Sequence, residues 1–494
     1  MMSKSSLISC LILVLVMGSP LVHGQQQPTN DDSKAVQGDF LGSWVGSLNV
    51  GAVRLRLVFH IQSTDGNLAV KLDSPDQGAK GIPLDQIVIA GNKITIGSKK
   101  MNATYEGTME STKKRIDGQW MQSGQKFKLD LDRSAGSVER NRPQTPRAPF
   151  PYRVEEVTFR HHSADFQMAG TLTLPKEEGR YPAAILITGS GAQDRDETIF
   201  EHRPFAVLAD HLTKAGIAVL RVDDRGVGGT GVDGNPTDDT TQDFVTDVEC
   251  SLHYLRSRND IDAKRIGLVG HSEGAIIAAS VAAADQDVAW VVLLAGPGVP
   301  GDELILYQAE KIARASGAGE QEIENNKRIQ REIYKVIRNQ PDAVAARKAA
   351  KELLLKEYEE LEKKDSRPAQ TAEEFANQHS AAVAIPWFRY FITLDPRESL
   401  AQLSCPVLVL TGEKDLQVPP EQNHPQIEKA LSKSSSKDVT IKSLPMLNHL
   451  FQTAKTGLVS EYGEIEETFS PEALKVLSAW LDARVRIRDS ATKD

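Results

Sequence analysis

The sequence predicts an α/β protein, a doubly wound and mostly parallel sheet preceded by a small all-β domain. Three observations lead there. From Val154 onward, apolar strand segments alternate with amphipathic helical segments. Between Arg265 and Val281 the chain reads RIGLVGHSEGAIIAASV, a buried strand, a sharp turn and a helix in immediate succession. Ahead of these, residues 38–133 hold only short runs of alternating polar and apolar residues, the pattern of half-buried antiparallel strands.

A chain of 494 residues is too long for one ordinary core, and two or three are expected. The net charge of −9 leaves no basic surplus to neutralise phosphates and excludes an ordinary nucleic-acid binder. Lys4 precedes an apolar run from Leu7 to Met17, Gly18-Ser19-Pro20 breaks it, and Val22-His23-Gly24 offers a cleavage site. Residues 1–24 therefore read as a secretory signal, and the protein as secreted or periplasmic. The run is shorter than the about 20 apolar residues needed to span a bilayer, so no stable membrane span is expected. Residues 25–37 are polar and read as disordered. Beyond Cys10, Cys250 and Cys405 are expected as small buried hydrophobes in preference to a bridge. No cysteine or histidine cluster has metal spacing, and no metal is expected.

Within residues 38–133, alternating runs at Arg54–Phe59, Leu68–Leu72, Ile87–Ile89, Lys93–Ile96, Thr104–Thr108 and Lys126–Leu131 are separated by turns such as Asp65-Gly66-Asn67 and Gly91-Asn92. This predicts an antiparallel meander or small barrel. Trp44 and Trp120 are candidates to stack on a ligand, but core packing is the commoner use of a strand aromatic. The domain reads as a folding or oligomerisation unit in preference to a binding module for a ligand or cell-surface polymer. Residues 134–151 carry four prolines without apolar periodicity and read as an extended linker.

The second domain, residues 152–486, opens with a hairpin, Val154–Arg160 and Gln167–Leu174. The uninterrupted apolar strand Ala183–Thr188 belongs at the centre of a sheet covered on both faces. A helix over Pro204–Ala215, a strand over Ile217–Val222, a helix over Asp243–Arg256, the Arg265–Val281 unit and a strand over Val288–Leu294 follow. Gly226 to Gly231 has the spacing G-x-G-x-x-G, but the polar stretch after it cannot open the helix that would carry a pyrophosphate. A dinucleotide site is rejected there in favour of a loop. Residues 301–394 interrupt the alternation with charged helices whose apolar positions include Ile323, Ile329, Ile333 and Ile337. They read as a helical cap, and Trp387, Phe388 and Tyr390 at its end as an apolar wall for a substrate. The sheet resumes with strands Pro406–Leu410 and Val439–Leu444, and a helix over Pro471–Val485 closes the domain.

Gly270-His271-Ser272-Glu273-Gly274 places a serine between glycines where strand and helix pass too close for side chains. The turn lifts the Ser272 hydroxyl above the sheet edge and aims the first free N–H groups of the helix at whatever binds there. A serine hydroxyl needs a base, and the base needs an acceptor that fixes its tautomer. Asp415 follows the strand Pro406–Leu410, with Glu413 as a competitor, and His449 follows the last strand. Both therefore emerge at the edge where Ser272 does. Oxyanion donors are expected from the N–H of Glu273 and from Thr188-Gly189-Ser190-Gly191, with Ser190 preferred over Gly191. His271 reads as packing for the turn, and Gln193-Asp194-Arg195-Asp196-Glu197 as loop-ordering ion pairs and caps in preference to a metal site.

The blocks Gly189–Glu197, Asp223–Gly228, Gly270–Gly274 and Pro386–Phe391, in this order, resemble secreted bacterial α/β-hydrolases of the carboxylesterase and serine-aminopeptidase-like group. The resemblance covers residues 150–486. It implies the α/β-hydrolase fold with a helical cap, ester hydrolysis without a cofactor, and the triad Ser272, Asp415 and His449. Three readings follow: a serine esterase acting on a small, short-chain acyl ester; a peptidase on the same scaffold; and a binding protein with a vestigial hydrolase domain.

Overall fold

The computed structural model describes residues 38–485 apart from short stretches at 51–52, 65–66, 78, 100, 123–124, 135–139, 235–237 and 364–370. The expected signal and polar segment, residues 1–37, lie outside the described residues. Among the described residues, no helix is long and apolar enough to cross a membrane.

The first ten strands are Gly42–Val50 (β1), Val53–Thr64 (β2), Asn67–Ser74 (β3), Ala79–Pro83 (β4) and Gln86–Ala90 (β5), then Lys93–Ser98 (β6), Ala103–Met109 (β7), Arg115–Gln122 (β8), Gln125–Lys128 (β9) and Leu131–Ser134 (β10). They form one antiparallel sheet in the order β4-β3-β2-β1-β10-β8-β7-β6-β5, with β9 on β8. Two meanders are thus joined where β10 pairs with β1. Trp44 and Trp120 are 0% and 3% exposed. Both pack into the sheet's core with Phe59 and Tyr105.

The second sheet contains Arg153–Arg160 (β11), Gln167–Leu174 (β12), Tyr181–Ile187 (β13), Ala218–Val222 (β14), Ile261–His271 (β15), Val291–Leu294 (β16), Val407–Gly412 (β17) and Val439–Leu444 (β18). Its order is β11-β12-β14-β13-β15-β16-β17-β18. β11 and β12 are antiparallel, and from β14 onward the pairs are parallel. Alternation along β13 feeds both faces. Ile185 and Ile187 pack with Val248 and Leu252 of Thr241–Ser257 (α2), whereas Ala184 and Leu186 pack with Phe205, Leu208 and Leu212 of Pro204–Lys214 (α1). Each buried leucine, isoleucine, valine or phenylalanine among these contributes about 1.5–3 kcal/mol. From β13 the chain crosses to β14 on one side and then returns to β15 on the other. This reversal opens a crevice at the carboxyl ends of β13 and β15, where open α/β sheets bind ligands.

Residues 226–231 form tight turns, with Gly229 N–H donating to Asp223 and Gly231 N–H to the Gln167 carbonyl. The next helix starts only at Thr241. Cys250 and Cys405 are free and buried. Between β16 and β17 come Gly301–Ala315 (α4), Glu320–Arg338 (α5), Ala343–Lys363 (α6), Ala372–Val383 (α7) and Pro386–Phe391 (α8). Ile329, Ile333, Ile337, Leu354, Phe375 and Phe388 give these helices a core of their own.

The two sheets are in close contact. Phe200, Leu450 and Tyr462, all from the second half of the chain, are buried in the first sheet's core. Phe200 N–H donates to the Asp76 carbonyl at 2.8 Å. The Arg56 guanidinium bridges Asp76 and Glu201. Residues 140–152 have no regular structure yet are held firmly: Arg142 donates to the carbonyls of Phe200, Gly463 and Ile465. These ties hold a segment in which Glu197, Phe200 and Glu201 have φ of 53°, 51° and 64°. Left-handed backbone costs roughly 1–2 kcal/mol per residue bearing a side chain.

Beside this contact His202 is 1% exposed and bonds to Thr468 and to the Tyr462 carbonyl. Burial and the nearby Arg142 charge lower its pKa from 6.5 to about 4. The unfolded chain therefore takes up a proton near pH 6.5 that the folded chain refuses until about pH 4. Stability is complete above pH 6.5 and falls as pH drops through that window, by on the order of 3 kcal/mol for this residue. His379, buried in the cap helices and likewise lowered to about 4, adds to the loss. Denaturant unfolding at pH 7 and pH 4.5 is expected to show a smaller pH-dependent loss for His202→Gln than for the parent.

Candidate active site

At the crevice, β15 passes into Glu273–Ala284 (α3) through a single residue. Ser272 has φ 55° and ψ −119°, a conformation that a serine adopts only under constraint. The constraint is backbone crowding. A Cβ on Gly270 would lie 2.0 Å from the Gly274 carbonyl oxygen, and one on Gly274 would lie 2.2 Å from that of Ile187. Only glycine fits either position. Ser272 N–H donates to the Leu294 carbonyl at 2.8 Å, and its side chain remains half-buried at the crevice.

Asp415 and His449 meet as a pair: His449 Nδ1–H donates to Asp415 Oδ2 at 2.8 Å. Asp415 Oδ1 accepts from the N–H groups of Gln417 and Val418, both at 2.8 Å, so its orientation is fixed. The competitor Glu413 is exposed. With Nδ1 committed to the acid, Nε2 of His449 is left as the basic nitrogen. Among the described residues, no hydrogen bond joins the Ser272 hydroxyl to His449. Such bonds often tighten only when substrate is present. His449 instead contacts the serine's neighbour. His271 Nε2–H donates to the His449 carbonyl at 3.0 Å, and the two rings lie 4.8 Å apart.

The loop after β13 lies directly against the turn, and an added Cβ on Gly189 would be 3.3 Å from Ser272 Cβ. Among the described residues, neither Ser190 N–H nor Gly191 N–H donates to a protein group. Glu273 N–H, at the first position of α3, has no intrahelical acceptor. These are the free donors a developing oxyanion requires. Two acids hold the loop around them, and a third, Glu273, lies beside it. Glu197 accepts from Gly189 N–H at 2.9 Å. Asp224 accepts from the Thr188 hydroxyl at 2.9 Å and Gln193 N–H at 2.8 Å. The Glu273 carboxylate is held by the Thr241 hydroxyl and by the Trp387 indole N–H. Loss of water around Asp224 pushes its pKa well above the ordinary carboxylate value. Burial raises that of Glu273 against the opposing effect of its hydrogen bonds.

Sequence reasoning missed Asp224 and underrated His271 and Glu197. His271 does more than pack the turn, because its Nδ1–H also donates to Glu197 at 2.8 Å. Burial pulls the His271 pKa down, but the Glu197 charge and the two hydrogen bonds lift it above the usual value. The block Gly189–Glu197 was a visible signal for Glu197; nothing local marks which groups it meets. Asp194 and Asp196 are engaged by loop N–H groups and by Arg221.

The expected substrate wall needs correction. Phe388 is 0% exposed and packs on Tyr334 inside the cap core, because α8 turns that ring toward the neighbouring helices. Trp387 instead faces the site through Glu273, and Tyr390 is half-buried.

A serine in a strained strand-to-helix turn, an Asp–His pair from late-sheet loops and free N–H groups beside them define the α/β-hydrolase class. The serine aminopeptidase S33 family model matches residues 201–453, just over half of the chain, and the chain belongs to this family. Esterase EstD of Thermotoga maritima is 34% identical over 140 residues, covering 28% of this chain and 32% of that protein. An uncharacterised Mycobacterium tuberculosis protein is 30% identical over 118 residues, covering 24% of this chain and 38% of that protein. The chain thus spans about a third of the length of the curated relatives it matches. Among solved structures, the Pyrococcus furiosus esterase Pf2001 aligns over 71% of this chain and 99% of its own, with 14% identity and a TM-score of 0.41.

Substituting Asp415→Asn should leave His449 with the wrong tautomer and slow fluorophosphonate labelling of the protein by about 10³- to 10⁴-fold. Glu413→Gln should label within twofold of the parent rate.

Proposed function

We propose that this chain is a serine carboxylesterase that hydrolyses short-chain acyl esters through an acyl-enzyme, without metal or cofactor. The observation that carries the reading is the Asp415–His449 pair beside a serine held at positive φ. In the first half-reaction His449 Nε2 removes the proton from Ser272 Oγ as the oxygen attacks the ester carbonyl. The N–H groups of Ser190 or Gly191 and of Glu273 stabilise the tetrahedral oxyanion. Collapse expels the alkoxide, which takes its proton from His449. Water then attacks the acyl-enzyme by the same route and releases the carboxylic acid.

A peptidase that recognises a free amino terminus is the second reading, favoured by the family's name. Such an enzyme needs an accessible anionic carboxylate to anchor the amine. The acid next to Ser272 in the chain is Glu273, and its oxygens already accept from Thr241 and Trp387, while burial favours its neutral form. This weakens the amine anchor and favours the esterase. Under the same reading, residues 1–24 direct export to the periplasm or medium, 38–133 form the N-terminal domain and 152–486 the hydrolase domain. Residues 301–394 form the cap and 134–151 the connection.

The test is hydrolysis of p-nitrophenyl acetate beside an aminoacyl p-nitroanilide. The ester should be turned over and Ser272→Ala should lose several orders of magnitude, on the order of 10⁶ for a serine triad. Preferential turnover of the anilide would instead establish the peptidase.

A further inference from the structure

The segment 197–201 connects the N-terminal sheet to the serine turn, and Glu197 is its end at the turn. Glu197 Oε1 accepts from Gly189 N–H at 2.9 Å and from His271 Nδ1–H at 2.8 Å. Gly189 precedes the free N–H groups of Ser190 and Gly191. His271 precedes Ser272 and donates to the His449 carbonyl at 3.0 Å. The His271 nitrogens face a carboxylate and a carbonyl, both acceptors, which a doubly protonated ring satisfies. Glu197 therefore touches the flank of the oxyanion loop and, through His271, both the nucleophile turn and the main chain of the base.

Glu197 does not hold this position by local preference. Three of the five residues 197–201 are left-handed without being glycine. Their anchors come largely from the N-terminal sheet and the segment that follows it. Phe200 is 4% exposed inside the first sheet's core. Its N–H is held by the Asp76 carbonyl, its carbonyl by Arg142, and Glu201 by Arg56. Leu450, directly after His449, is buried in the same core. Two loops that carry active-site groups are thus seated in the N-terminal sheet.

We propose that Glu197 is a positioning residue for the oxyanion loop and the base, and that the N-terminal sheet is part of the catalytic apparatus because it holds Glu197 in place. The inference rests on the esterase reading. It assigns the N-terminal domain a task other than capturing ligands or joining subunits. It also implies an effect on the transition state more than on substrate binding, since Glu197 lies behind the turn and the loop.

The full-length chain is compared with Glu197→Ala, Glu197→Gln, Phe200→Leu and Ser272→Ala on p-nitrophenyl acetate. Each is also titrated with an aryl trifluoromethyl ketone, whose adduct with a serine hydroxyl carries an oxyanion. Glu197→Ala is expected to lower kcat roughly 10- to 100-fold, less than loss of an oxyanion donor itself. KM should stay within about threefold and the ketone Ki should rise in step with the kcat loss. In Glu197→Gln the amide oxygen still accepts both bonds, so kcat should recover to within about fivefold of the parent. Phe200→Leu keeps the carboxylate but loosens its anchor, and about a three- to tenfold loss of kcat at unchanged KM is expected. Unchanged kcat and Ki in Glu197→Ala overturn the inference, as does a loss that Glu197→Gln does not relieve. If Glu197→Ala does not fold, Phe200→Leu decides, and parent-like kcat and Ki in that variant overturn the inference. Activity or ketone binding retained by Ser272→Ala overturns the serine reading itself and is recognised separately from those outcomes.

Discussion

The structure depends most on a crossing of backbones with no room for side chains. Where β15 ends, the Gly274 carbonyl occupies the space a Gly270 side chain would need, and Ile187 at the end of β13 excludes one on Gly274. That crowding holds α3 against the sheet, and Ser272 takes up positive φ as the joint between them. The candidate catalytic groups are arranged around this joint. The free N–H groups of the β13 loop lie on one side, and the Asp–His pair from the loops after β17 and β18 lies across the parallel sheet.

Around the joint the protein gathers acidic groups among the apolar side chains that line the crevice. Asp224 and Glu197 accept hydrogen bonds from the 188–193 loop, and Glu273 accepts from Thr241 and Trp387 beside it. A loop whose N–H groups must face a substrate has to be fixed through its remaining groups, and buried carboxyl groups accept several bonds at once. Removing a charge from water is costly, which is the cause of the raised pKa values at Asp224 and Glu273. The Glu197 charge is instead met by His271. These groups rigidify a site that catalysis requires to be organised before substrate arrives.

The N-terminal sheet contributes to the same rigidity. Its core contains its own tryptophans together with Phe200, Leu450 and Tyr462. Without these side chains the sheet would leave part of its apolar face exposed to water. By accepting three side chains from the second half of the chain it also fixes the segments that bear Glu197 and His449. The strained 197–201 backbone is tolerated because ion pairs and carbonyl bonds from Asp76, Arg56 and Arg142 over-determine it.

Local patterning made much of this legible. The strands and helices of the second sheet follow from apolar runs and periodicity, and the glycines flanking Ser272 follow from sterics between nearby residues. The chain order of Ser272, Asp415 and His449 follows from where strands end. Weakly patterned elements were harder to read: β1, with its glycines and polar residues, and β8, with Gly118 near its centre, carry little alternation and are defined by their neighbours in the sheet. The sequence by itself determined the α/β architecture, the preceding β-rich segment and the glycine-flanked turn at Ser272, because those depend on patterns and contacts a few residues apart. Only the tertiary structure decided that Asp415 and not Glu413 meets His449, that Phe388 faces the cap core, and that Glu197, His271 and the first sheet form one connected support. Those outcomes depend on distances between groups tens to hundreds of residues apart, which a residue's own neighbours in the chain do not specify.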